Sequence, residues 1–428
     1  MRIHRSFAPL LVAGICLAAC GDDDAGSQPP PGEIVRSSKA RIVEHGVASE
    51  TVRALARDDA EAAFAMLHAE QPDGNFFYSP HSISIALAMT YAGARGETER
   101  QMAEALRFRM PQAELHPAFN ALDQELATRE RTATERGGEP FRLRVVNSIW
   151  GQRGYRFLDA YLDVLAESYG AGLSLLDFVA DPEGSRQTIN AWVSDQTETR
   201  IPELIPMGVI DSTTVLVLTN AIYFKASWDQ PFDPADTADG TFHALDGSSL
   251  TVPLMHDAAE HRYAEDAQGG WQAVELTYSG EQVSMLVVLP ADGTFETFER
   301  TLDEPLLTTI VDGLATRRVD LTLPKFSFRS QLSLVETLRE MGMLDAFSGD
   351  ADLSGMDGTR QLFIQDVIHE AFVAVDERGT EAAAATAVVV GRTSAPEPAT
   401  FTADRPFLFV IRDIPTGAVL FVGRVVSP

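Results

Sequence analysis

The chain has 428 residues, of which 45% are hydrophobic and 22% charged, values typical of a globular protein with a large core. Its formal net charge of −28 argues against nucleic acid as a partner, because that binding depends on neutralisation of phosphates by Lys and Arg. The same charge favours solubility and repulsion from anionic surfaces.

The amino terminus has the pattern of an export signal. Arg2 and Arg5 precede an apolar run at residues 10–17 that is too short to span a bilayer as a helix. The run ends in Leu-Ala-Ala-Cys20-Gly21, which resembles the bacterial lipobox. This resemblance implies a lipoprotein signal peptide at residues 1–19, lipidation (palmitate) of Cys20, and an extracytoplasmic protein on the outer membrane or cell surface; a plain signal peptide is the alternative.

Cysteine usage limits the chemistry of the folded body. Cys16 and Cys20 are the only cysteines, and both precede it. The body therefore has no disulfide, thiolate metal site or catalytic cysteine. Acidic and Pro-rich runs at residues 22–24 and 29–32 predict that residues 20–49 form a tether, which leaves residues 50–428 as the folded domain.

The first half of the body is mainly helical by pattern. Apolar residues at helical spacing predict helices over residues 52–67, 80–93, 97–108, 118–129, 157–168 and 183–197. Ser79 and Pro80 have the residue types of a helix cap and first turn. Residues 76–78 and 142–151 predict strands, and alternation in the second places Asn147 on the same face as Leu143 and Ile149.

The second half is mainly β by pattern. Strands are predicted over residues 213–225, 252–255, 272–278, 283–289, 319–328, 363–375, 401–412 and 418–425, with a helix at 331–341 that Gly342 ends. Because no βαβ unit repeats, the fold class is predicted to be α+β. A body of this length without an internal linker indicates an extended, multi-sheet domain.

A search for catalytic motifs finds none. The chain lacks a Gly-x-Ser-x-Gly elbow and a Walker A loop. His369-Glu370 begins like a zinc-protease motif, but Val373 occupies the position of the second histidine. The sequence therefore predicts no metal, no cofactor and no enzymatic activity.

Residues 377–398 have an unusual composition. After Gly379, small and β-branched residues run from Thr380 to Val390 with Glu381 as the only charge, and the segment ends in a Gly- and Pro-rich exit. In a strand Glu381 would point outward, and no inward position would carry a group that is costly to bury. Composition alone leaves an Ala-rich helix as the alternative.

Several motifs in order along the body resemble those of the serpins, a family of serine protease inhibitors. They are the stretches at residues 75–83, 190–201, 218–228, 323–326, 351–355, 404–409 and 423–425. The resemblance implies a fold with three β-sheets, about nine helices and an exposed reactive-centre loop at residues 377–398. In this family a target protease cleaves the loop and is acylated, and the loop then inserts into the central sheet.

The resemblance also assigns roles within the loop. The hinge comprises Glu377, Arg378, Gly379, Thr380, Glu381, Ala382, Ala383, Ala384 and Ala385. Family spacing from Glu377 places the reactive bond between Thr393 and Ser394. A bond between Arg392 and Thr393 stays open, because Arg392 is the trypsin-type determinant nearby; Thr393 instead suits elastase-like or subtilisin-like proteases.

Two further groups of residues match family positions. Ser79, Ser82, Asn220 and His369 match the shutter, a polar network beneath the central sheet, and Trp228 matches the breach, where insertion begins. The small-residue hinge favours a monomeric inhibitor whose partner is a serine protease, with the membrane reached only through the lipid. A non-inhibitory binding or chaperone-like serpin is the alternative.

Overall fold

The computed structural model describes residues 30–44, 46–135, 142–380 and 398–428, and those ranges contain ten α-helices. No helix there is long and apolar enough to cross a bilayer. The helices are α1 (Ser49–Glu70), α2 (Pro80–Tyr91), α3 (Gly96–Ala105), α4 (Gln112–Glu135), α5 (Asp159–Tyr169), α6 (Pro182–Gln196), α7 (Phe295–Glu299), α8 (Glu304–Gly313), α9 (Val335–Glu340) and α10 (Ser354–Asp357).

The same ranges contain sixteen strands. They are β1 (Glu33–Val35), β2 (Phe76–Tyr78), β3 (Arg142–Gln152), β4 (Leu173–Leu176), β5 (Leu216–Ser227), β6 (Ala238–His243), β7 (Ser249–Asp266), β8 (Trp271–Thr277), β9 (Val283–Pro290), β10 (Ala315–Pro324), β11 (Phe326–Ser333), β12 (Asp366–Asp376), β13 (Gly379–Thr380), β14 (Ala399–Thr402), β15 (Phe407–Asp413) and β16 (Val419–Val425).

Hydrogen bonding joins these strands into two sheets. The seven-stranded sheet has the order β1-β4-β3-β5-β13-β12-β11. The nine-stranded sheet has the order β14-β10-β7-β8-β9-β15-β16-β2, with β6 paired to β7. Three sheets were expected, but the 18-residue β7 pairs with β6 and β10 along part of its length and with β8 at its end, so two groups of strands form one ladder.

Helix α2 lies between the two sheets. All twelve of its residues are buried, and it packs against β3 and β5 on one side and β16 on the other. The predicted cap is present, since the Ser79 side chain accepts a hydrogen bond from the backbone N–H of Ser82. This cap holds both serines beneath the seven-stranded sheet.

Several element boundaries differ from the sequence predictions, and two of them, at residues 319–328 and 331–341, have the same physical reason. Residues 319–328 are not one strand, because Lys325 separates β10 from β11 and donates its backbone N–H to Pro253 instead. The predicted helix at 331–341 begins only at Val335, because residues 331–333 pair with β12 as the end of β11. Tertiary strand pairing outweighs local pattern at both places.

The largest correction concerns the predicted tether. Residues 33–42 do not extend away from the body: β1 pairs antiparallel with β4 at the edge of the seven-stranded sheet. Beyond it, Lys39 forms ion pairs with Asp163 and Glu167 of α5, and Ile42 donates its N–H to the Glu167 carbonyl. We call residues 33–42 the docked arm.

Candidate functional site

The short strand β13 lies between β5 and β12 at one end of the seven-stranded sheet. Gly379 is opposite Ser227 on one side and Asp376 on the other, and Thr380 is opposite Ala226 and Val375. Both residues of β13 are buried. We call these two inserted residues, Gly379 and Thr380, the wedge. They lie at the point where the sequence predicts a hinge.

Glycine is the only residue type that fits at position 379. Its φ of +150° is unfavourable for L side chains, and a Cβ there would lie 2.2 Å from the carbonyl oxygen of Ala226. The obstacle is backbone, so it cannot rotate away. A substitution at Gly379 would have to displace the wedge from β5.

Thr380 is held by a tyrosine that directly follows β8 of the nine-stranded sheet. Its hydroxyl lies 2.8 Å from the Tyr278 hydroxyl, and Tyr278 stacks on Trp228 with ring centroids 4.6 Å apart. The Trp228 indole N–H in turn donates to the carbonyl of Asp376 at 3.0 Å. Trp228, predicted at the breach, thus contacts the chain segment that leads into the wedge.

Glu377 fixes the approach to the wedge. Its carboxylate accepts from the Lys325 ammonium at 2.7 Å and from the Thr237 hydroxyl at 2.9 Å. Burial alone would raise the pKa of the Glu377 carboxyl, but these hydrogen bonds outweigh it and leave the pKa below its ordinary value. Arg378, between Glu377 and Gly379, is exposed.

Below the wedge, β5 and β12 pair with each other directly. Six parallel pairs connect them, from Asp366 opposite Val217 to Ala371 opposite Ile222. A strand that continued from Thr380 between β5 and β12 would have to separate these pairs. This interface is therefore closed in its middle and open only at its head.

The four residues predicted as a shutter come together at this closed interface. His369 of β12 lies directly beside Asn220 of β5, and its Nδ1 is hydrogen-bonded to the Asn220 side-chain oxygen. The Asn220 amide donates to the Ser82 hydroxyl at 2.6 Å, and the Ser79 backbone N–H donates to His369 Nε2 at 3.2 Å. The residues of α2 and the sheet thus form one buried network.

The pattern of contacts fixes the state of His369. Because Nε2 accepts from Ser79, the ring proton lies on Nδ1 and is donated to Asn220. Burial lowers the pKa of His369 to about 3, so the ring is neutral at physiological pH. A neutral histidine with both nitrogens bonded suits a closed, dry interface.

Sequence reasoning missed one member of this network. Asn147 of β3 lies opposite Asn220, accepts from its amide at 2.5 Å, and donates to the Ser82 carbonyl at 3.1 Å. The signal was present, because Asn147 is the polar residue on a face otherwise formed by Leu143 and Ile149. Asn147, Asn220 and His369 therefore lie side by side on three neighbouring strands.

Some predicted residues are outside the described ranges. These are Cys20, Glu381, Ala382, Ala383, Ala384, Ala385, Arg392, Thr393 and Ser394. Within the described ranges, no group of three or more His, Cys, Asp or Glu side chains is arranged to hold a metal ion.

Comparison with known proteins identifies the family. The family model described as "Serpin (serine protease inhibitor)" matches residues 58–428. The chain belongs to the serpin family. The α+β serpin fold expected from the motifs is therefore confirmed, and the wedge and buried network lie in its central sheet.

Relatives of this serpin include an elastase inhibitor and a thyroxine-binding globulin. The bovine leukocyte elastase inhibitor is 38% identical over 372 residues, which cover 85% of this chain and 96% of that protein. An uncharacterised serpin-like protein of Thermococcus kodakarensis is 40% identical over 360 residues, 83% of this chain and 81% of that protein. Human thyroxine-binding globulin, solved in complex with thyroxine, is 30% identical with a TM-score of 0.79, and the match covers 88% of this chain and 99% of that one.

Proposed function

We propose that this serpin inhibits serine proteases as a suicide substrate, by cleavage of its reactive-centre loop, covalent trapping of the acyl-enzyme and insertion of the loop into the seven-stranded sheet. The observation that carries the proposal is the wedge. Its buried Thr380 starts a strand between β5 and β12, and the sequence continues with residues small enough to follow it.

The proposed target is a serine protease, and the loop sequence leaves two classes open. A reactive bond at Thr393–Ser394 supports a protease with a small apolar pocket, of the elastase or subtilisin type. A bond at Arg392–Thr393 supports a trypsin-type protease. Similarity to leukocyte elastase inhibitors supports the first alternative.

We further propose that the protein is a monomeric, lipid-anchored form. Residues 1–19 would be removed as a signal peptide, and Cys20 would carry the lipid on the outer membrane or cell surface. The lipobox-like sequence before Cys20 supports this assignment. The docked arm shortens the proposed tether to residues 20–32.

The inhibitory mechanism predicts a covalent product. Residues 20–428 are incubated with trypsin, elastase and subtilisin, and we expect a complex with at least one of them that survives SDS. The released carboxy-terminal peptide identifies the bond by mass: residues 394–428 for cleavage after Thr393, residues 393–428 for cleavage after Arg392. Cleavage to completion with the protease still active would contradict inhibition.

Complete cleavage with the protease still active would favour a non-inhibitory binding serpin, which the similarity to thyroxine-binding globulin also supports. The matched variants Arg392→Ala and Thr393→Ala separate the two target classes. If cleavage follows Arg392, only the first variant abolishes the trypsin complex. Cleavage after Thr393 leaves the Arg392→Ala variant active against elastase or subtilisin.

A further inference from the structure

The segment that connects α6 to β5 covers the face of the seven-stranded sheet opposite α2. We call this segment, residues 198–213, the strap. Side chains of β12 alternate between the two faces, so that His369 points to α2 and Ile368 points to the strap. A buried apolar cluster on the strap side joins α6, the strap and the sheet, and its members include Trp192, Ile201, Leu204, Ile205, Val217 and Ile368. The strap therefore packs over β5 and β12, the two strands between which the wedge lies.

The strap is attached to α6 on one side. The Asn190 amide of α6 donates to the Ile205 carbonyl at 2.9 Å, and the Asn190 side-chain oxygen accepts from the Ile205 N–H at 2.8 Å. Arg186 also donates to the Ile205 carbonyl, at 2.8 Å. Trp192 of α6 packs edge-on against Trp150 of β3, with ring centroids 5.4 Å apart. This side of the strap is therefore fixed to the part of the sheet that contains β3.

On its other side the strap reaches β11 and β12. The Gln331 amide of β11 donates to the Leu204 carbonyl at 2.8 Å and to the Glu203 carbonyl at 3.3 Å. The Arg200 guanidinium lies over the Phe372 ring of β12, 5.6 Å from its centroid. A strand inserted between β5 and β12 would move these two strands apart by about 4.8 Å. Because the strap bridges them, its contacts on the two sides cannot all persist during insertion.

Glu370 of β12 lies beneath this bridge. It is on the same face as Ile368 and Phe372, and only 5% of the residue is exposed. Within the described residues, its carboxyl accepts a single hydrogen bond, from the Gln331 amide at 3.4 Å, and that amide also holds the Leu204 carbonyl. A hydrogen bond of this length is weak. The carboxyl is therefore buried with little compensation.

The charged groups around Glu370 do not pair with it. On the neighbouring elements they are Arg329 of β11, Arg200 and Glu203 of the strap, Arg186 of α6, and Asp366 on the same face of β12. The residue of β5 opposite Glu370 is Ala221, which is uncharged. Burial raises the pKa of the Glu370 carboxyl to about 7, although Arg329 opposes the shift. Near neutral pH the carboxyl is therefore partly ionised beneath the strap.

We propose that Glu370 is a pH-sensitive latch for the strap, and that ionisation of its carboxyl releases the strap from β11 and β12. When the strap lifts, water reaches the carboxylate, so the ionised group favours the open form and the protonated group favours the closed form. The contribution to the closed form is fully present below pH about 4.5 and is lost as the pH rises through about 7. A consequence that rests on the proposed inhibitory function is that loop insertion becomes easier as the pH rises.

Hydrogen exchange of residues 20–428, measured by mass spectrometry, tests the latch. The original protein and Glu370→Gln are compared at pH 5.5 and at pH 8, because the intrinsic exchange rate is then the same for both proteins at each pH. The strap, whose amides include the buried N–H of Ile205, should exchange faster in the original protein. We expect the ratio of the two exchange rates to increase at least about tenfold between pH 5.5 and pH 8.

Three comparisons connect this ratio to the buried carboxyl and to the strap. Glu203→Gln changes an exposed carboxylate of the strap, and its ratio against the original protein should be the same at both pH values. Strand β15, which is buried throughout, should stay protected while the strap exchanges. Gln331→Ala removes the amide that holds the strap and should speed its exchange at both pH values. Melting temperatures identify any variant that fails to fold.

A ratio for Glu370→Gln that is the same at pH 5.5 and pH 8, or that changes equally in β15, would overturn the latch. This result does not depend on inhibition, since a serpin that never traps a protease can still have a strap that opens with pH. The consequence for insertion is measured separately, as the rate at which the SDS-stable complex forms. If that rate, relative to Glu370→Gln at the same pH, does not rise with pH, the strap does not limit insertion.

Discussion

The interface between β5 and β12 differs between its head and its middle. At the head, the chain itself separates the two strands, and the Thr380 hydroxyl is hydrogen-bonded to Tyr278, which stacks on Trp228. In the middle, the strands pair directly and a side-chain hydrogen bond from His369 to Asn220 crosses between them. The same two strands are therefore open at one end and locked a few residues away.

This difference indicates where the resistance to strand insertion lies. At the head, the inserted residues are small and the contacts around them are already made. In the middle, an incoming strand must break six backbone pairs and the buried network that includes Asn147 and Ser82. For the insertion proposed above, the head would therefore be the starting point, and the middle would set the barrier that keeps the uncleaved protein closed.

The largest expected effect is at the head, in the variant Thr380→Arg. Thr380 is 1% exposed, and a guanidinium at that position would be buried without a partner, which costs several kcal/mol. The wedge should leave the sheet, and insertion should become too slow to trap the acylated protease. We expect the amount of serpin consumed per protease inhibited to rise at least about tenfold, measured by titration of residual protease activity.

The neighbouring exposed residue provides the control for this variant. Arg378→Ala alters a side chain that points into solvent, two positions before Thr380. The amount of the Arg378→Ala variant consumed per protease inhibited should equal that of the original protein. If Thr380→Arg also inhibits with unchanged stoichiometry, the wedge is not the starting point of insertion.

A smaller effect is expected in the middle, in the variant Asn220→Ala. Loss of this amide leaves His369 without its acceptor and removes a donor to Ser82 and Asn147. Because each buried polar group left unpaired costs about 1–3 kcal/mol, we expect a loss of about 3 kcal/mol in the free energy of unfolding. The midpoint of urea denaturation, followed by circular dichroism, measures it.

Ser148 of β3 is the matched control for the middle. It is buried beside Asn147, but its hydroxyl has no hydrogen-bond partner. Ser148→Ala should change stability by less than about 0.5 kcal/mol. Equal losses in the two variants would mean that burial, and not the network, stabilises the closed interface.

The smallest effect concerns pH and Glu370, which adjoins His369 on β12. Burial raises the pKa of this carboxyl to about 7, although Arg329 opposes the shift. The folded protein therefore holds the proton more tightly than the unfolded chain does, and stability decreases as pH rises from about 4.5 to about 7.

Replacement with Gln removes this dependence. Relative to Glu370→Gln, the original protein should lose on the order of 1–2 kcal/mol between pH 5 and pH 8. The difference between the two proteins is the quantity to measure, because the lowered pKa of His369 gives the opposite dependence at acid pH. A difference that stays constant over this range would contradict the raised pKa.

The sequence alone predicts the structure correctly where contacts between neighbouring residues decide it. The Ser79 cap and the first turn at Pro80 follow from residue types at neighbouring positions, and the structure has both. The order of the motifs along the chain was enough to predict the fold. Composition and resemblance also indicate a hinge at Gly379 and Thr380, but they do not give the place of these residues in the sheet.

What could not be predicted depends on contacts between distant residues. Asn147, Asn220 and His369 are far apart in the chain, and only strand register places them side by side. The docked arm is a second example, since residues rich in charge and small side chains look like a spacer. Acidic residues on α4 and α5 hold the arm against the body. No pattern within residues 33–42 indicates these contacts.

The docked arm also bears on how the protein is prepared. A fragment that begins at residue 50 would retain the whole region matched to the family but would expose the free edge of β4, where three residues of β1 normally pair. Unpaired strand edges recruit strands from other molecules. Purified material truncated at that point is therefore prone to self-association, and preparations that begin at or before residue 30 avoid this hazard.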